Sequence, residues 1–304
     1  MKIGWEEALA ARRMGIACAK YPSRGDRRER YPVIKPRFTL EPNTRIFTIG
    51  SCFARNIERK LKGFDVPTLR FTTPTEETPA PSNALLNEYN PGTMSQRILF
   101  ALNGNSLPSE TIVPSKGGYL DLSLPGGYPV TLERALERRR EVDTVYSSLK
   151  ESAVVIVTLG FVEAWFDQAT GLYLNQMPPQ PVMAAEPNRF KFGPMRIETV
   201  MPLLEGAMQA LSDAGLKVIL TVSPVPIGST FTGQDAVIAN EYSKSVLRCA
   251  AQSISETFPI VDYFPSYEMV KMGGVSAYED DNVHVKDCVV AEVTDYMLSV
   301  YAAI

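Results

Sequence analysis

Short apolar runs closed by glycine alternate along this chain with stretches whose apolar residues recur every three or four positions. The first run is Arg45-Ile46-Phe47-Thr48-Ile49, ending at Gly50, the pattern of a buried strand bounded by a turn. Phe53, Ile57 and Leu61 then recur every fourth position, predicting a helix over 52–62 with Gly63 as its C-cap. Ala153 to Leu159, closed by Gly160, and Lys217 to Val222 read as two more buried strands, and Ile260 to Tyr263 as a fourth. Helices are expected at 131–149, 201–211, 235–257 and 287–303. The first of these is rich in Glu133, Glu137, Glu141, Arg134 and Arg138 and reads as a solvated face. Segments 71–130 and Met177–Met195 read as loops. Strands alternating with helices predict an α/β fold with a parallel central sheet covered on both faces.

Composition narrows the classes of function. The chain has 304 residues, 45% hydrophobic and 21% charged, enough to bury a core without staples. Its formal charge is −3, from 31 Lys+Arg against 34 Asp+Glu, so no basic excess exists to hold a nucleic acid. Residues 1–43 nevertheless form a basic arm with Tyr-Pro steps, read as extended chain wrapping the body at 44–304, a single domain. The arm is either a solvated extension or a contact for an anionic partner. No run of 18 apolar residues occurs, and the N-terminus lacks a signal-peptide core, so no membrane span and a cytoplasmic location are expected. Four cysteines, 18, 52, 249 and 288, contain no C-x-x-C pair. No phosphate-cradling glycine motif is present, so no cofactor is expected.

There is a single histidine, His284, which excludes a three-histidine metal site. Asp281 precedes it by three residues, near enough for a carboxylate to hold one imidazole nitrogen and leave the other free to take a proton. The nucleophile belonging with it is expected at Gly50-Ser51-Cys52, at a strand's carboxyl end and a helix N-terminus, where ligands of open α/β sheets bind. Cys52 would gain thiolate character from the helix dipole, whereas Ser51 needs a general base outright. The plainer alternative is that serine caps the helix, cysteine is merely buried and His284 only packs.

Ile49-Gly50-Ser51-Cys52-Phe53-Ala54 matches the motif that names the GSCFA family of bacterial proteins. The resemblance continues through Tyr89-Asn90-Pro91, Thr158-Leu159-Gly160 to Glu163 and Trp165, Thr221 to Val225, Ser243-Lys244, Tyr263 to Glu268, and Asp281 to His284. It spans about 44–300 and resembles a branch of the SGNH (GDSL-like) hydrolases, which implies a flavodoxin-like three-layer α/β/α sandwich. Laid on that superfamily's Gly-Asp-Ser block, Gly50-Ser51-Cys52 puts Cys52 at the nucleophile position, and the D-x-x-H block falls on Asp281 and His284. The oxyanion groups would correspond to Asn90 or Gly92, and to Gly160. One block departs: Gly-x-Asn-Asp reads Gly160-Phe161-Val162-Glu163, so the asparagine is missing and Glu163 replaces the aspartate. The resemblance implies acyl transfer on a small-molecule or carbohydrate substrate, as esterase, deacetylase or O-acyltransferase. The competing readings are a non-catalytic ligand-binding scaffold and thiol redox chemistry between Cys52 and Cys288.

Overall fold

A computed structural model of the chain describes residues 4–14, 21 and 31–302. Lys20, Arg24, Arg27, Arg28 and Arg30 of the basic arm, and Cys18, lie outside the described residues. Helix α1 (Trp5–Met14) is followed by strand β1 (Ile46–Gly50), which turns directly into α2 (Cys52–Glu58). Next come α3 (Pro91–Asn103), the strands β2 (Ile112–Ser115) and β3 (Gly118–Asp121), and α4 (Leu132–Ser147). β4 (Val154–Leu159) leads into β5 (Glu163–Asp167), β6 (Leu172–Leu174), α5 (Gln180–Ala185) and β7 (Phe190–Pro194). The remainder is α6 (Ile197–Asp213), β8 (Lys217–Val222), α7 (Ala236–Thr257), β9 (Val261–Tyr263), α8 (Ser266–Gly273) and α9 (Asp287–Tyr301).

The central sheet has the order β1-β4-β8-β9, every pair parallel. Because side chains alternate across a strand, its residues divide between two cores. Phe47, Ile49, Val155, Val157, Val218 and Leu220 pack under α3, α4, α6 and α7. Ile46, Val154, Ile156 and Ile219 pack on the other face under α2, α8 and α9. The expected three-layer α/β/α arrangement is therefore present, each buried aliphatic side chain contributing about 1.5–3 kcal/mol relative to exposure.

The connections place the site. After α2 the chain returns to the outer edge of β1, where Ile46 N–H donates to the Asp65 carbonyl at 2.8 Å and Arg45 forms a parallel bridge with Asp65. The next full strand, β4, lies on the opposite side of β1. The winding thus reverses between β1 and β4, and a crevice opens outside their carboxyl ends.

Several expectations need correction. Residues 52–62 are not one helix: α2 ends at Glu58, and Gly63 (φ 82°) turns the chain toward the β1 edge instead of capping. Buried Glu58, taking hydrogen bonds from Thr68 and Asn83, closes the helix against its neighbours. The supposed loop at 71–130 contains α3 and the β2–β3 pair, and 177–195 contains α5 and β7. The expectation of parallel pairing holds for the central sheet, but β5 pairs antiparallel with both β6 and β7. On α4, Arg138 is buried instead of solvated, and Arg134 is bound by Glu77, Glu137 and Glu141. Near the end of the basic segment, Arg37 N–H donates to Asp262 at 2.8 Å, and its guanidinium donates to the carbonyls of Phe258 and Val261. No helix among the described residues is long and apolar enough to cross a membrane.

Candidate active site

The site begins at the corner between β1 and α2. Gly50 has φ 151°, and a Cβ there would stand 2.8 Å from both the Cβ and the carbonyl oxygen of Thr158 and 3.0 Å from Ala54. Only glycine lets the strand turn into a helix this close to β4. Ser51 is buried at the N-cap position and makes no side-chain capping bond. Cys52 opens the helix, so its N–H has no intrahelical acceptor. Burial pushes the Cys52 thiol up, while the Ser51 hydroxyl, the N–H groups of Phe53 and Cys52, and the charge of Lys244 oppose that shift.

Asp281 and His284 sit on a turn framed by a bridge between Tyr278 and Val285 and by the Glu279 N–H donating to the His284 carbonyl at 2.8 Å. Asn282 occupies the left-handed region (φ 54°), a conformation asparagine tolerates better than most residues. Asp281 Oδ1 accepts from the N–H groups of Val283 and His284, at 2.8 and 2.9 Å. Its Oδ2 lies 2.6 Å from His284 Nδ1. The hydrogen bond to His284 and the two N–H groups hold the Asp281 carboxyl at about 2, so it stays ionised. With Nδ1 engaged, Nε2 is the nitrogen left for proton transfer.

Ser51, Cys52 and His284 line one cavity of about 430 Å³, and Asn90, Gly160 and Glu163 line it as well. Asp281 stands behind His284, outside the lining. No hydrogen bond joins Ser51 or Cys52 to His284 among the described residues. Asn90 caps α3, its Oδ1 accepting from Thr93 N–H at 3.0 Å and its Nδ2 reaching the Leu174 carbonyl at 3.4 Å. Gly92 lies in the first turn of α3 against the Tyr173 ring and is not part of the lining. Gly160 is required by packing, since a Cβ would stand 2.4 Å from the Tyr89 carbonyl oxygen. Its N–H donates to no acceptor among the described residues. Glu163 accepts from the Thr230 hydroxyl at 2.6 Å and from Phe231 N–H at 3.3 Å, which ties the 228–232 loop over the cavity.

Sequence reasoning gave no role to Lys244. Its ammonium donates to the carbonyls of Gly160 and Val225, both at 2.7 Å, bracing the loops that follow β4 and β8. Burial pushes it down to about 7, with the Cys52 and Glu241 charges opposing. Its neighbour Ser243 accepts from Val162 N–H at 2.8 Å. The available signal was a lysine inside the apolar register of a helix, between Ala239 and Val246–Leu247.

The site therefore joins a Ser-Cys corner at the first strand's carboxyl end to an Asp-x-x-His turn before the last helix, on a parallel α/β sandwich. The chain belongs to the GSCFA family, whose model matches residues 45–296. No curated protein matches it. Among solved structures it is similar to a protein from Parabacteroides merdae ATCC 43184 described as GDSL-like lipase, at 11% identity and a TM-score of 0.36, over 87% of this chain and 100% of that one. Likeness at that level leaves the chemistry to be argued from this chain's own residues.

Proposed function

We propose that this protein catalyses acyl transfer through Cys52, with His284 as base and acid and Asp281 orienting the imidazole. The observation that carries the reading is that Cys52 and His284 face one cavity while Asp281 holds the histidine's far nitrogen. In the first half-reaction Cys52 Sγ attacks the acyl carbonyl and His284 accepts the thiol proton. The N–H groups of Cys52 and Gly160 are the proposed oxyanion donors, joined by Asn90 Nδ2, since capping α3 occupies only the Asn90 Oδ1. His284 then protonates the departing alcohol or thiol. In the second half-reaction, water or an acceptor hydroxyl takes the acyl group from sulfur. Ser51, buried beside Cys52, is the alternative nucleophile and needs the same base. The reading extends to a cytoplasmic enzyme whose acceptor is a small molecule or carbohydrate.

The test is turnover of a panel of activated acyl esters and acyl-thioesters by wild type, Cys52→Ala, Ser51→Ala and His284→Ala. Turnover lost with Cys52→Ala and His284→Ala but kept by Ser51→Ala supports the thiol mechanism. Loss with Ser51→Ala alone makes this a serine enzyme. The second reading, a ligand-binding protein without chemistry, draws on the missing hydrogen bond between Cys52 and His284. No turnover of any ester, acetylated sugars included, would favour it.

A further inference from the structure

A second cavity, of about 360 Å³, opens beside the first, and the two share Cys52, Tyr89 and His284 in their walls. Their remaining linings are of opposite character. The first cavity carries Trp165, Phe192 and Phe231, whose rings pack tilted or edge-on to one another with centroids 5.1, 5.4 and 6.5 Å apart. Its one carboxylate, Glu163, already accepts two hydrogen bonds. The second carries Arg55, Arg59, Asn56 and Asn87, and no carboxylate.

Its polar groups are not used up by the fold. Arg55 is buried and balanced by Glu58 at 2.8 Å, yet its Nε has no hydrogen-bond partner. The Asn87 Oδ1 is buried and unpartnered too. Arg59 is exposed and held by Asn56 at 3.1 Å, with no carboxylate in ion-pair reach among the described residues. Buried donors and acceptors left without partners are destabilising, which a bound polar group offsets.

We propose that this second cavity binds the leaving-group or acceptor half of the acyl substrate, and that it selects one bearing an anionic group, phosphate or carboxylate, beside a hydroxyl. The proposal rests on the acyl-transfer reading above. An acyl carbon attacked by sulfur carries its chain and its leaving group in diverging directions. A nucleophile in a wall common to two chambers meets that carbon with one substituent in each. The aromatic chamber takes the apolar acyl chain. The arginine chamber takes the anionic half, with Arg59 as counter-charge and Asn87 accepting from the hydroxyl. The carbon–oxygen or carbon–sulfur bond breaks as the carbon–Sγ bond forms, and the leaving atom departs into the second chamber with the proton that His284 took from Cys52.

The test reads charge selection at Cys52 without relying on turnover. Wild type is treated with dithiobis(nitrobenzoate), a dianionic disulfide, and with dithiodipyridine, a neutral one. Each forms a mixed disulfide with the thiol and releases its other half as thiolate. Peptide mapping follows Cys52, with exposed Cys249 as internal reference. The ratio of dianionic to neutral rate is expected to be about fivefold higher at Cys52 than at Cys249, the size of one exposed charge contact, and to shrink with added salt. In Arg59→Gln the ratio should fall to that of Cys249, and in Arg196→Gln, which lines neither cavity, it should stay. Equal ratios in wild type, or a Cys52 ratio indifferent to Arg59→Gln, would overturn the proposal. Charge selection at Cys52 without turnover of any ester supports the anion subsite and discards the acyl-transfer chemistry instead.

Discussion

Cys52 stands at a buried junction of strand and helix, fixed by a glycine that admits no side chain, whereas His284 stands on an exposed turn held by one carboxylate. The first half of the site is closely packed, and burial works against its ionisation. The second is open to water, and its carboxylate is ionised whatever the pH above about 2. In the proposed mechanism the two halves have different tasks. The buried corner would supply position and oxyanion donors, and the exposed turn the proton acceptor that a burial-raised thiol needs.

The sharpest way to break this division is His284→Ala. General-base loss should lower kcat/KM on an activated ester by about 1000-fold, and a fall under tenfold would mean that Cys52 ionises unaided. Asp281→Asn should cost less, on the order of 10- to 100-fold, because an exposed imidazole can still find its orientation through water. A loss equal to that of His284→Ala would show that the turn depends on the carboxylate entirely.

Lys244 sharpens the comparison from the buried side. It is pushed down to about 7 in the fold, while the unfolded chain keeps its ordinary value near ~10.4. Between those values the unfolded chain binds the extra proton, so stability rises with pH across the window and is lost as pH falls toward 7. Denaturant unfolding should show a gain on the order of 2 kcal/mol between pH 7 and 8.5, and Lys244→Met should flatten that slope. An unchanged slope would mean that the ammonium is carried without penalty. The smallest effect concerns the thiol itself. With burial raising it, alkylation of Cys52 by a neutral reagent should still be accelerating past about pH 8.5, where an ordinary thiol begins to level off. A plateau below that pH would place the thiolate in a more favourable setting than the corner provides.

How much of this could be read from the chain follows from how local each signal is. The β1–α2 corner was legible because strand, glycine and helix follow one another within a few residues, and the Asp281–His284 pair because three residues separate its members. Helix α3 was missed although Asn90-Pro91 is a capping residue followed by a proline suited to the first turn. Its apolar positions, Met94, Ile98 and Ala101, follow a Thr- and Pro-rich stretch that set the expectation of a loop. The antiparallel strands β5–β7 are short, and their pairing is fixed by tertiary contact instead of by alternation. Lys244 was out of reach for a physical reason: its role is to join the Gly160 carbonyl, 84 residues away, to the Val225 carbonyl. Arg138 misled in the same way, since the Tyr128 carbonyl and the Glu77 carboxylate that meet it lie on other segments.

The most direct test of the central claim is the mass of the intact protein after a short exposure to an activated acyl ester. The account predicts one acyl addition, mapped to Cys52, present in Ser51→Ala and absent from Cys52→Ala. An adduct that maps to Ser51, or that persists in Cys52→Ala, would contradict it.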